Sequence, residues 1–339
     1  MPLNSDMFIG FDGGGTKTTC VIGDASGRII GSAVGDSTNL KSRPEKVVRE
    51  VIHDLMAEVL KLGNASVDQL TGVFVSTAGG DREEDRKRWT QWILDFGVNP
   101  KQINVENDAV GALASGTKAK NGIVLIAGTG SIAYSVRSDI GKTTRVGGWG
   151  YLLGDEGSGY SIGNHALKMI LRSFDGRDEK KEAITEHILN HLGLERPEQL
   201  ITFIYEDPYP RKVIASIAKH VIFLAEQNEQ HATVIIQHAM DQLIELVSSI
   251  VRQDEVHATL PLVISGGLFQ SAYFRKVFEQ SMRMKGYTLP IIVPKYPPVV
   301  GAYMCALLQN DLIITDEIEQ NITNSWDRAL TLCNTDGGI

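Results

Sequence analysis

The feature that most constrains this chain is a glycine-rich turn between two β-strands, which occurs twice. Residues 8–31, FIGFDGGGTKTTCVIGDASGRIIG, read as an apolar strand, three consecutive glycines, a second strand, a polar turn and a third strand. Residues 121–148, NGIVLIAGTGSIAYSVRSDIGKTTRVGG, repeat this order about 113 positions later. We interpret the repeat as two half-molecules of similar topology, each of which opens with a glycine-rich hairpin.

Hydrophobic periodicity predicts the elements that follow each hairpin. In the first half we predict helices over 44–62 and 82–96, a strand that runs into a loop over 72–80, a short strand over 103–108, and a small helix after residue 108. The second half is predicted to be mostly helical, with helices over 158–174, 179–192, 196–205, 211–227 and 229–252. It ends with a strand at 262–265, a helix, a strand near 289–293 and a closing helix over 299–308. The polar last thirty residues predict a surface helix or a partly ordered tail.

The 339 residues are long for a single core and favour two domains. We predict a first domain over 1–118, a second domain with a helical insertion over 119–304, and a C-terminal helix and tail over 305–339. The closing helix from about residue 305 is a candidate to pack back on the first domain.

Composition excludes several classes of protein. The net charge of −8 gives no basic surface for nucleic acid, and no apolar run reaches the roughly 18 residues that a membrane span needs. The N-terminus is too polar for a signal peptide. Three scattered cysteines, Cys20, Cys305 and Cys333, show no zinc or disulfide spacing. We therefore expect a cytoplasmic protein without membrane or nucleic-acid partners.

The first glycine turn is neither a P-loop nor a dinucleotide-binding turn. Thr16 stands where a P-loop has lysine, Lys17 comes one residue late, and the chain continues as a strand instead of a helix. In the second turn GTGSIA fits the GxGxxA pattern, but a β-like segment follows.

A hairpin that holds phosphate is the alternative, because glycine lets backbone N–H groups approach an anion closely. Two such hairpins facing each other across a cleft would bind a triphosphate through Gly13, Gly14, Gly15, Thr16 and Lys17 of the first turn and Gly128, Thr129 and Gly130 of the second. Asp12, at the end of the first strand, would suit Mg²⁺. A tight hairpin without a ligand remains the alternative for either turn alone.

Three polar positions are candidates for chemistry. Asp108, in ENDA, lies where a strand meets a helix and is either a general base or a helix-capping aspartate, with Glu106 and Asn107 as candidate orienting groups. Asn39 offers a donor and an acceptor for hydroxyl or acetamido groups, or is a turn residue. Residues 76–80, STAGG, are expected to line the same cleft.

Residues 147–160, GGWGYLLGDEGSGY, combine glycines, a flat apolar ring and a carboxylate. They suit a sugar, with Trp149 as a pocket wall and Asp155 as an acceptor for hydroxyls. The alternative is a glycine-rich loop that caps the following helix and buries Trp149.

The ordered motifs DGGGTKT, END, AGTGS, GGWGYLLGDEGSGY and ISGGL resemble the N-acetylglucosamine kinases of the BadF/BadG/BcrA/BcrD ATPase family, over residues 7–308. That family lies within the actin, sugar kinase and Hsp70 superfamily. The resemblance implies an α/β fold of two ribonuclease-H-like (actin-like ATPase) domains around a nucleotide cleft. It also implies ATP and Mg²⁺ as cofactors, and a homodimer.

The resemblance also assigns residues. Asp108 is implied as the catalytic base that takes the sugar proton, and Gly266 and Gly267 as an adenosine-binding turn. The implied sugar contacts are Asn39, Asp108, Ser131, Ile132, Gly148, Trp149, Gly150 and Asp155. Ile132 departs from the small polar residue typical of those kinases, so we expect contact through its backbone only.

The resulting prediction is an ATP-dependent kinase that phosphorylates the 6-hydroxyl of an amino sugar. N-acetylglucosamine is the first candidate, with N-acetylmuramic acid and glucosamine as alternatives. An ATPase activator of a 2-hydroxyacyl-CoA dehydratase is a second class, disfavoured because no cysteine pair suits an iron–sulfur cluster. A sugar-sensing regulator is a third class, disfavoured because no DNA-binding helix pair is visible.

Overall fold

The structure, a computed structural model, describes residues 6–335. The chain divides into two units: one holds the described residues up to Asn121 and from Pro294 onward, and the other spans Gly122–Val293. The predicted tail residues 336–339 and the side chain of Cys333 lie outside the described part of the chain.

The first unit is built on a five-stranded sheet of order β3-β2-β1-β4-β5. Its strands are β1 Met7–Gly13, β2 Lys17–Asp24, β3 Ile29–Asp36, β4 Leu70–Thr77 and β5 Ile103–Asn107. The first three strands pair in antiparallel fashion, whereas β1, β4 and β5 run parallel. The predicted hairpin and the strands that follow it are therefore confirmed.

Two helices join these strands, α1 Glu45–Leu62 and α2 Glu83–Leu94, and a third, α3 Asp108–Thr117, follows β5. One face of the sheet packs on the apolar stripes of α1 and α2, where Phe11 meets Trp89 edge to face at 5.8 Å between ring centroids. Because β1 is central in the sheet and parallel to its neighbour β4, it reads as a nearly continuous apolar run.

The second unit repeats the topology of the first. Its sheet has the order β10-β9-β6-β7-β8, so each strand corresponds to the one five positions earlier in the chain. The strands are β6 Asn121–Ala127, β7 Ser131–Arg137, β8 Lys142–Gly147, β9 Leu262–Ser265 and β10 Ile291–Ile292. β7 and β8 are antiparallel, whereas β6, β9 and β10 run parallel. The interpretation of a duplicated chain is confirmed.

Between β8 and β9 the second unit carries six helices, and a seventh joins β9 to β10. They are α4 Gly159–Phe174, α5 Glu182–Leu192, α6 Gln199–Tyr205, α7 Pro210–Ser216, α8 Ala218–Glu226, α9 Gln230–Gln253 and α10 Ala272–Met284. The single helix predicted over 211–227 is divided at Ile217, which ends α7 and precedes α8.

Helix α9 alone among the described helices is long and apolar enough to span a bilayer, by length and composition. However, 56% of its most apolar window is buried within the protein. Its apolar residues, including Ile236, Met240 and Leu243, lie in the core of the second unit. The packing of α9 therefore accounts for its hydropathy.

The chain then returns to the first unit through α11 Pro298–Leu308 and α12 Asp316–Thr335. Every residue of α11 from Val299 to Leu307 is buried, and the helix crosses α3 so closely that a Cβ on Gly301 would lie 1.9 Å from the Gly111 carbonyl oxygen. The predicted boundaries at 118/119 and 304/305 thus differ from the observed division, which keeps all of α11 in the first unit.

Helix α12 is the surface helix that the sequence offered as one alternative for its last thirty residues. The hydroxyl of Ser325 accepts a hydrogen bond of 2.9 Å from the backbone N–H of Ile29 in β3, and Ile322 is fully buried. Helix α12 therefore packs on β3 at the edge of the first sheet.

Three histidines meet where α5 packs on α8. The Nε2 atom of His187 lies 3.2 Å from Nδ1 of His220, and the ring of His191 stacks on that of His220 at 3.6 Å. Burial lowers the pKa of His220 to about 4, and the nearby charges of His191, Lys219 and His187 act in the same direction.

This cluster predicts an acid-sensitive stability. A folded-state pKa near 4, below the ordinary histidine value of 6.5, means that the unfolded chain binds the proton first, so stability falls as the pH drops from about 6.5 towards 4. His220→Gln should therefore show a smaller loss of Tm than the unsubstituted protein between pH 7 and pH 5, measured by thermal unfolding. His53→Gln, an exposed histidine of α1, is the control. Equal pH dependence of Tm in all three proteins would contradict the prediction.

Candidate active site

The parallel strands of the first unit bring the predicted acidic residues to one edge of the sheet. Asp12 lies opposite Ser76 in the pairing of β1 with β4, and Ser76 lies opposite Glu106 in the pairing of β4 with β5. Asp108 is the first residue of α3 and follows β5 directly. The carboxyl ends of parallel strands share an edge of the sheet, so Asp12 and Asp108 lie on the same side of it.

Buried hydrogen bonds position Asp108. The Ser76 hydroxyl lies 3.2 and 3.1 Å from the carbonyl oxygens of Asn107 and Asp108, and it accepts a hydrogen bond of 3.0 Å from the Gly111 N–H. Asn107 caps α3, since its Oδ1 accepts from the Ala109 N–H at 3.0 Å. Ser76 was expected to line the ligand cleft, but it is fully buried and instead fixes the first turn of α3.

The first glycine turn is closed by its own backbone. The Gly14 N–H donates to the Lys17 carbonyl at 3.1 Å, and the Ser37 hydroxyl donates to the Gly14 carbonyl at 3.0 Å. A Cβ on Gly13 would lie 2.6 Å from the Thr77 hydroxyl oxygen, so this position requires glycine. Gly15, Thr16 and Lys17 are exposed. The turn therefore presents bare backbone, a hydroxyl and an ammonium group to solvent.

Asn39 lies beside this turn, in the loop after β3. A Cβ on Gly15 would lie 3.7 Å from its Nδ2 atom. Its Oδ1 accepts a hydrogen bond of 2.9 Å from the Lys41 N–H, as in an Asx turn. Asn39 thus has the turn role that the sequence offered as one alternative, and its amide nitrogen points towards the glycine turn.

The carboxyl group of Asp12 has a raised pKa. Burial and, to a smaller extent, the negative charge of Asp108 raise the pKa of Asp12 to about 7, although the Lys17 ammonium acts in the opposite direction. Two carboxylates that repel each other at a strand edge are a hard-oxygen donor set, which a divalent cation such as Mg²⁺ would stabilise. The residues present therefore fit the predicted metal.

The second glycine turn is clamped by the start of α4. The N–H groups of Gly159 and Tyr160 donate to the carbonyls of Gly128 and Thr129 at 2.7 and 3.3 Å. A Cβ on Gly128 would lie 3.7 Å from the backbone nitrogen of Gly267. The structure thus brings together the predicted phosphate turn and the predicted adenosine turn of the second unit.

The two glycines of the predicted adenosine turn differ. Gly266 has φ = +99°, and a Cβ there would lie 2.4 Å from the Ala127 carbonyl oxygen. Glycine at this position therefore lets the turn after β9 pack closely against the end of β6. A Cβ on Gly267 would meet no described atom within 4 Å, and Gly267 is exposed. Of the two, Gly267 is the one that offers open backbone.

Asp155 is held beside the second turn by an arginine that the sequence did not identify. The Arg211 Nη2 atom lies 2.9 Å from Oδ2 of Asp155, and the Ser131 N–H donates to Oδ1 at 3.4 Å. Burial raises the pKa of Asp155, and the positive charge of Arg211 opposes that shift. Asp155, predicted as an acceptor for sugar hydroxyls, is therefore buried and already paired.

The glycine-rich loop after β8 exposes its tryptophan. Trp149 is 66% exposed, and the Arg145 guanidinium lies 4.6 Å from its ring centroid. Gly148 and Gly150 have φ of +68° and +87°. The Ile132 side chain packs against Gly148, where a Cβ would lie 2.8 Å from Cδ1 of Ile132. Trp149 is thus not part of the core, contrary to the alternative that the sequence left open.

Two positioning residues carry no local sequence signal. Arg211 enters from α7, 56 residues after Asp155. Gln242 enters from α9, and its Oε1 accepts from the Gly157 N–H at 2.8 Å. Both lie in helices whose pattern predicts only amphipathic packing, so only the folded chain shows their contacts.

A family model for the BadF/BadG/BcrA/BcrD ATPases matches residues 9–306. The chain belongs to the BadF/BadG/BcrA/BcrD ATPase family. The assignment made from the glycine motifs is therefore confirmed, and the use of ATP follows from it.

Two curated members are similar over nearly their whole length. An N-acetylmuramic acid/N-acetylglucosamine kinase of Clostridium acetobutylicum is 34% identical over 306 residues, which cover 89% of this chain and 99% of the relative. An N-acetyl-D-glucosamine kinase of Dictyostelium discoideum is 28% identical over 318 residues, which cover 90% and 99%.

A solved structure from Chromobacterium violaceum, described as a candidate N-acetylglucosamine kinase, superimposes with a TM-score of 0.71. It is 21% identical and covers 90% of this chain and 99% of its own. This likeness confirms the predicted α/β fold of two ribonuclease-H-like domains.

The tight contact at Gly130 gives a test of this geometry. A Cβ there would lie 2.9 Å from both carboxylate oxygens of Asp155 and 3.0 Å from Nη2 of Arg211. Gly130→Ala should therefore displace the pair and lower the free energy of unfolding by about 1–3 kcal/mol, measured by denaturant titration. Gly141→Asn, in an open left-handed turn, is the control.

The cost of Gly130→Ala should shrink in an Asp155→Ala background, because the added methyl group then meets no carboxylate. An equal cost in both backgrounds would mean that the Asp155 carboxylate is not the group displaced.

Proposed function

We propose that this protein is an ATP-dependent kinase that transfers the γ-phosphoryl group of ATP to the 6-hydroxyl of an amino sugar, with N-acetylglucosamine as the first candidate. The observation that carries the proposal is the pair Asp12 and Asp108 at the carboxyl edge of the first sheet, where the charge of one raises the pKa of the other. Phosphoryl transfer needs a metal-binding carboxylate and a proton acceptor, and this pair offers both.

Each unit contributes distinct groups in this proposal. In the first unit, the turn over Gly13, Gly14, Gly15, Thr16 and Lys17 binds phosphate, Asn39 binds sugar, and Asp12 holds Mg²⁺ through its carboxylate. When bound, Mg²⁺ would neutralise phosphate charge. In the second unit, the turn over Gly128, Thr129 and Gly130 binds phosphate, with Gly266 and Gly267 near adenosine. The proposed sugar contacts of that unit are Ser131, Ile132, Gly148, Trp149, Gly150 and Asp155.

Asp108 is the general base in this proposal. The Ser76 and Asn107 hydrogen bonds fix the backbone at the start of α3, where Asp108 is the first residue. Its carboxylate would accept the hydroxyl proton as the sugar oxygen attacks phosphorus.

The choice of amino sugar follows the names of the relatives, which include N-acetylglucosamine and N-acetylmuramic acid. A Vibrio cholerae relative that is 29% identical over 190 residues is named a glucosamine kinase. N-acetylmuramic acid and glucosamine therefore remain alternative substrates. A coupled assay of ADP release across hexoses and amino sugars, with and without Mg²⁺, tests activity and substrate together. ADP release that no sugar stimulates would refute the kinase.

An activator of a 2-hydroxyacyl-CoA dehydratase remains the second class. Cys20 and Cys305 are fully buried, and burial raises the pKa of both thiols, so neither is poised to act as a thiolate ligand. These facts favour the kinase, and an iron assay of the purified protein separates the two classes.

We further propose a cytoplasmic homodimer, on the strength of the family resemblance. Size-exclusion chromatography with light scattering tests the dimer.

Asp108→Asn should abolish most turnover and spare sugar binding. Loss of the proton acceptor is expected to lower kcat by about 10²–10⁴-fold, because general base catalysis contributes that much. The sugar dissociation constant, measured by calorimetry, should change by less than about threefold, since the amide keeps the shape of the carboxylate. Asp68→Asn, exposed in the first unit, is the control. Retention of a tenth of the activity by Asp108→Asn would remove it from the base role.

Asp12→Asn should weaken Mg²⁺ binding and stabilise the metal-free protein. The raised pKa means that folding opposes the charged form, so removal of the charge should raise Tm by about 5 °C at pH 8 in EDTA, with less gain as the pH falls from 7 towards 4. The variant should also need more Mg²⁺ for half-maximal activity. Asp54→Asn, exposed on α1, is the control. A lower Tm for Asp12→Asn at pH 8 would contradict the raised pKa of Asp12.

A further inference from the structure

The pair formed by Asp155 and Arg211 is asymmetric in its exposure. The Asp155 side chain is 5% exposed, whereas that of Arg211 is 38% exposed. A buried carboxylate is therefore neutralised by a cation whose other side faces solvent. A half-exposed guanidinium can bind a second anion without the full desolvation cost of a buried charge.

The hydrogen-bonding capacity of Arg211 is incompletely used. A guanidinium has five N–H donors, and Asp155 takes the Nη2 contact at 2.9 Å. Nε of Arg211 is buried and has no hydrogen-bond partner among the described residues. The flat group also lies 5.2 Å from the ring centroid of Tyr151, which limits its orientations. Arg211 is thus a restrained planar donor with capacity for a further acceptor.

The position of Arg211 links it to the proposed sugar contacts. Its Nη2 would lie 3.0 Å from a Cβ on Gly130, and its partner Asp155 accepts from the N–H of Ser131. A sugar with a carboxylate substituent matches this arrangement, since its hydroxyls can use the remaining lone pairs of Asp155 while its carboxylate pairs with Arg211.

We propose that Arg211 is a specificity-determining residue that selects an amino sugar bearing a carboxylate. N-acetylmuramic acid, whose lactyl ether carries a carboxylate, is such a sugar. This inference rests on the proposed kinase function. It adds that the sugar site of this chain discriminates by charge and that Arg211 carries the discrimination.

The test compares three sugars with the full-length protein and ATP: N-acetylmuramic acid, the neutral amide of its lactyl group, and N-acetylglucosamine. The unsubstituted protein should show a kcat/KM for the acid about tenfold or more above that for the amide. Arg211→Gln should abolish this preference, and Arg211→Lys, which keeps a charge beside Asp155, should retain part of it. Arg172→Gln, which breaks an exposed ion pair with Asp178 in the same unit, should leave the preference unchanged.

The ratio of kcat/KM for the acid to kcat/KM for the amide distinguishes a role of Arg211 in substrate specificity from a role in positioning Asp155. If Arg211 only positions Asp155, Arg211→Gln lowers kcat/KM for all three sugars by the same factor, and the inference is overturned while the kinase stands. Phosphorylation of N-acetylglucosamine without any preference for the acid in the unsubstituted protein also overturns it. A protein that phosphorylates none of the three would refute the proposed function itself, and with it the role of Arg211.

Discussion

The parallel pairing of β1 with β4 and of β4 with β5 is the constraint on which the first unit's site depends. Parallel strands end together, so Asp12, Thr77 and Asn107 come to one edge regardless of their distance along the chain. That edge also carries the start of α3, whose first turn is fixed by the Ser76 hydroxyl. A shift in strand register would move Asp12 away from Asp108 and remove the electrostatic repulsion between them. The register of the parallel strands therefore determines the positions of Asp12 and Asp108 more than any loop conformation does.

The same topology gives the second unit a different kind of site. Its glycine turn lies between β6 and β7, as the first turn lies between β1 and β2, but here α4, which follows the loop after β8, donates its first N–H groups to the turn. The helices between β8 and β9 then supply Arg211 and Gln242, which hold the loop around Asp155. The duplicated topology thus gives a glycine turn in each unit, and side chains from the helices inserted between β8 and β9 position the loop beside the second turn.

The sequence was sufficient to predict what local patterns encode. The two hairpins, the strand that ends at Asn107 and the helix that begins at Asp108 are dictated by apolar runs, glycine turns and capping residues, all within a few positions. It was not sufficient for contacts that depend on distant packing. Nothing near Ser76 indicates that its hydroxyl would be used by α3, and nothing near Ile217 marks the break between α7 and α8. Arg211 was missed for the same reason, because its partner lies 56 residues earlier.

Each unit contains a buried aspartate, but the neighbouring charges have opposite signs. This difference supports the different ligands proposed for the two units. Burial raises the pKa of both Asp12 and Asp155. Around Asp12 the strongest charge is another carboxylate, so the ligand-free protein holds excess negative charge that a cation relieves. Around Asp155 the strongest charge is a half-exposed guanidinium, so that carboxylate is already neutralised and the positive charge faces outward. These charges favour a metal ion in the first environment and, in the second, the hydroxyls and single carboxylate of the proposed sugar.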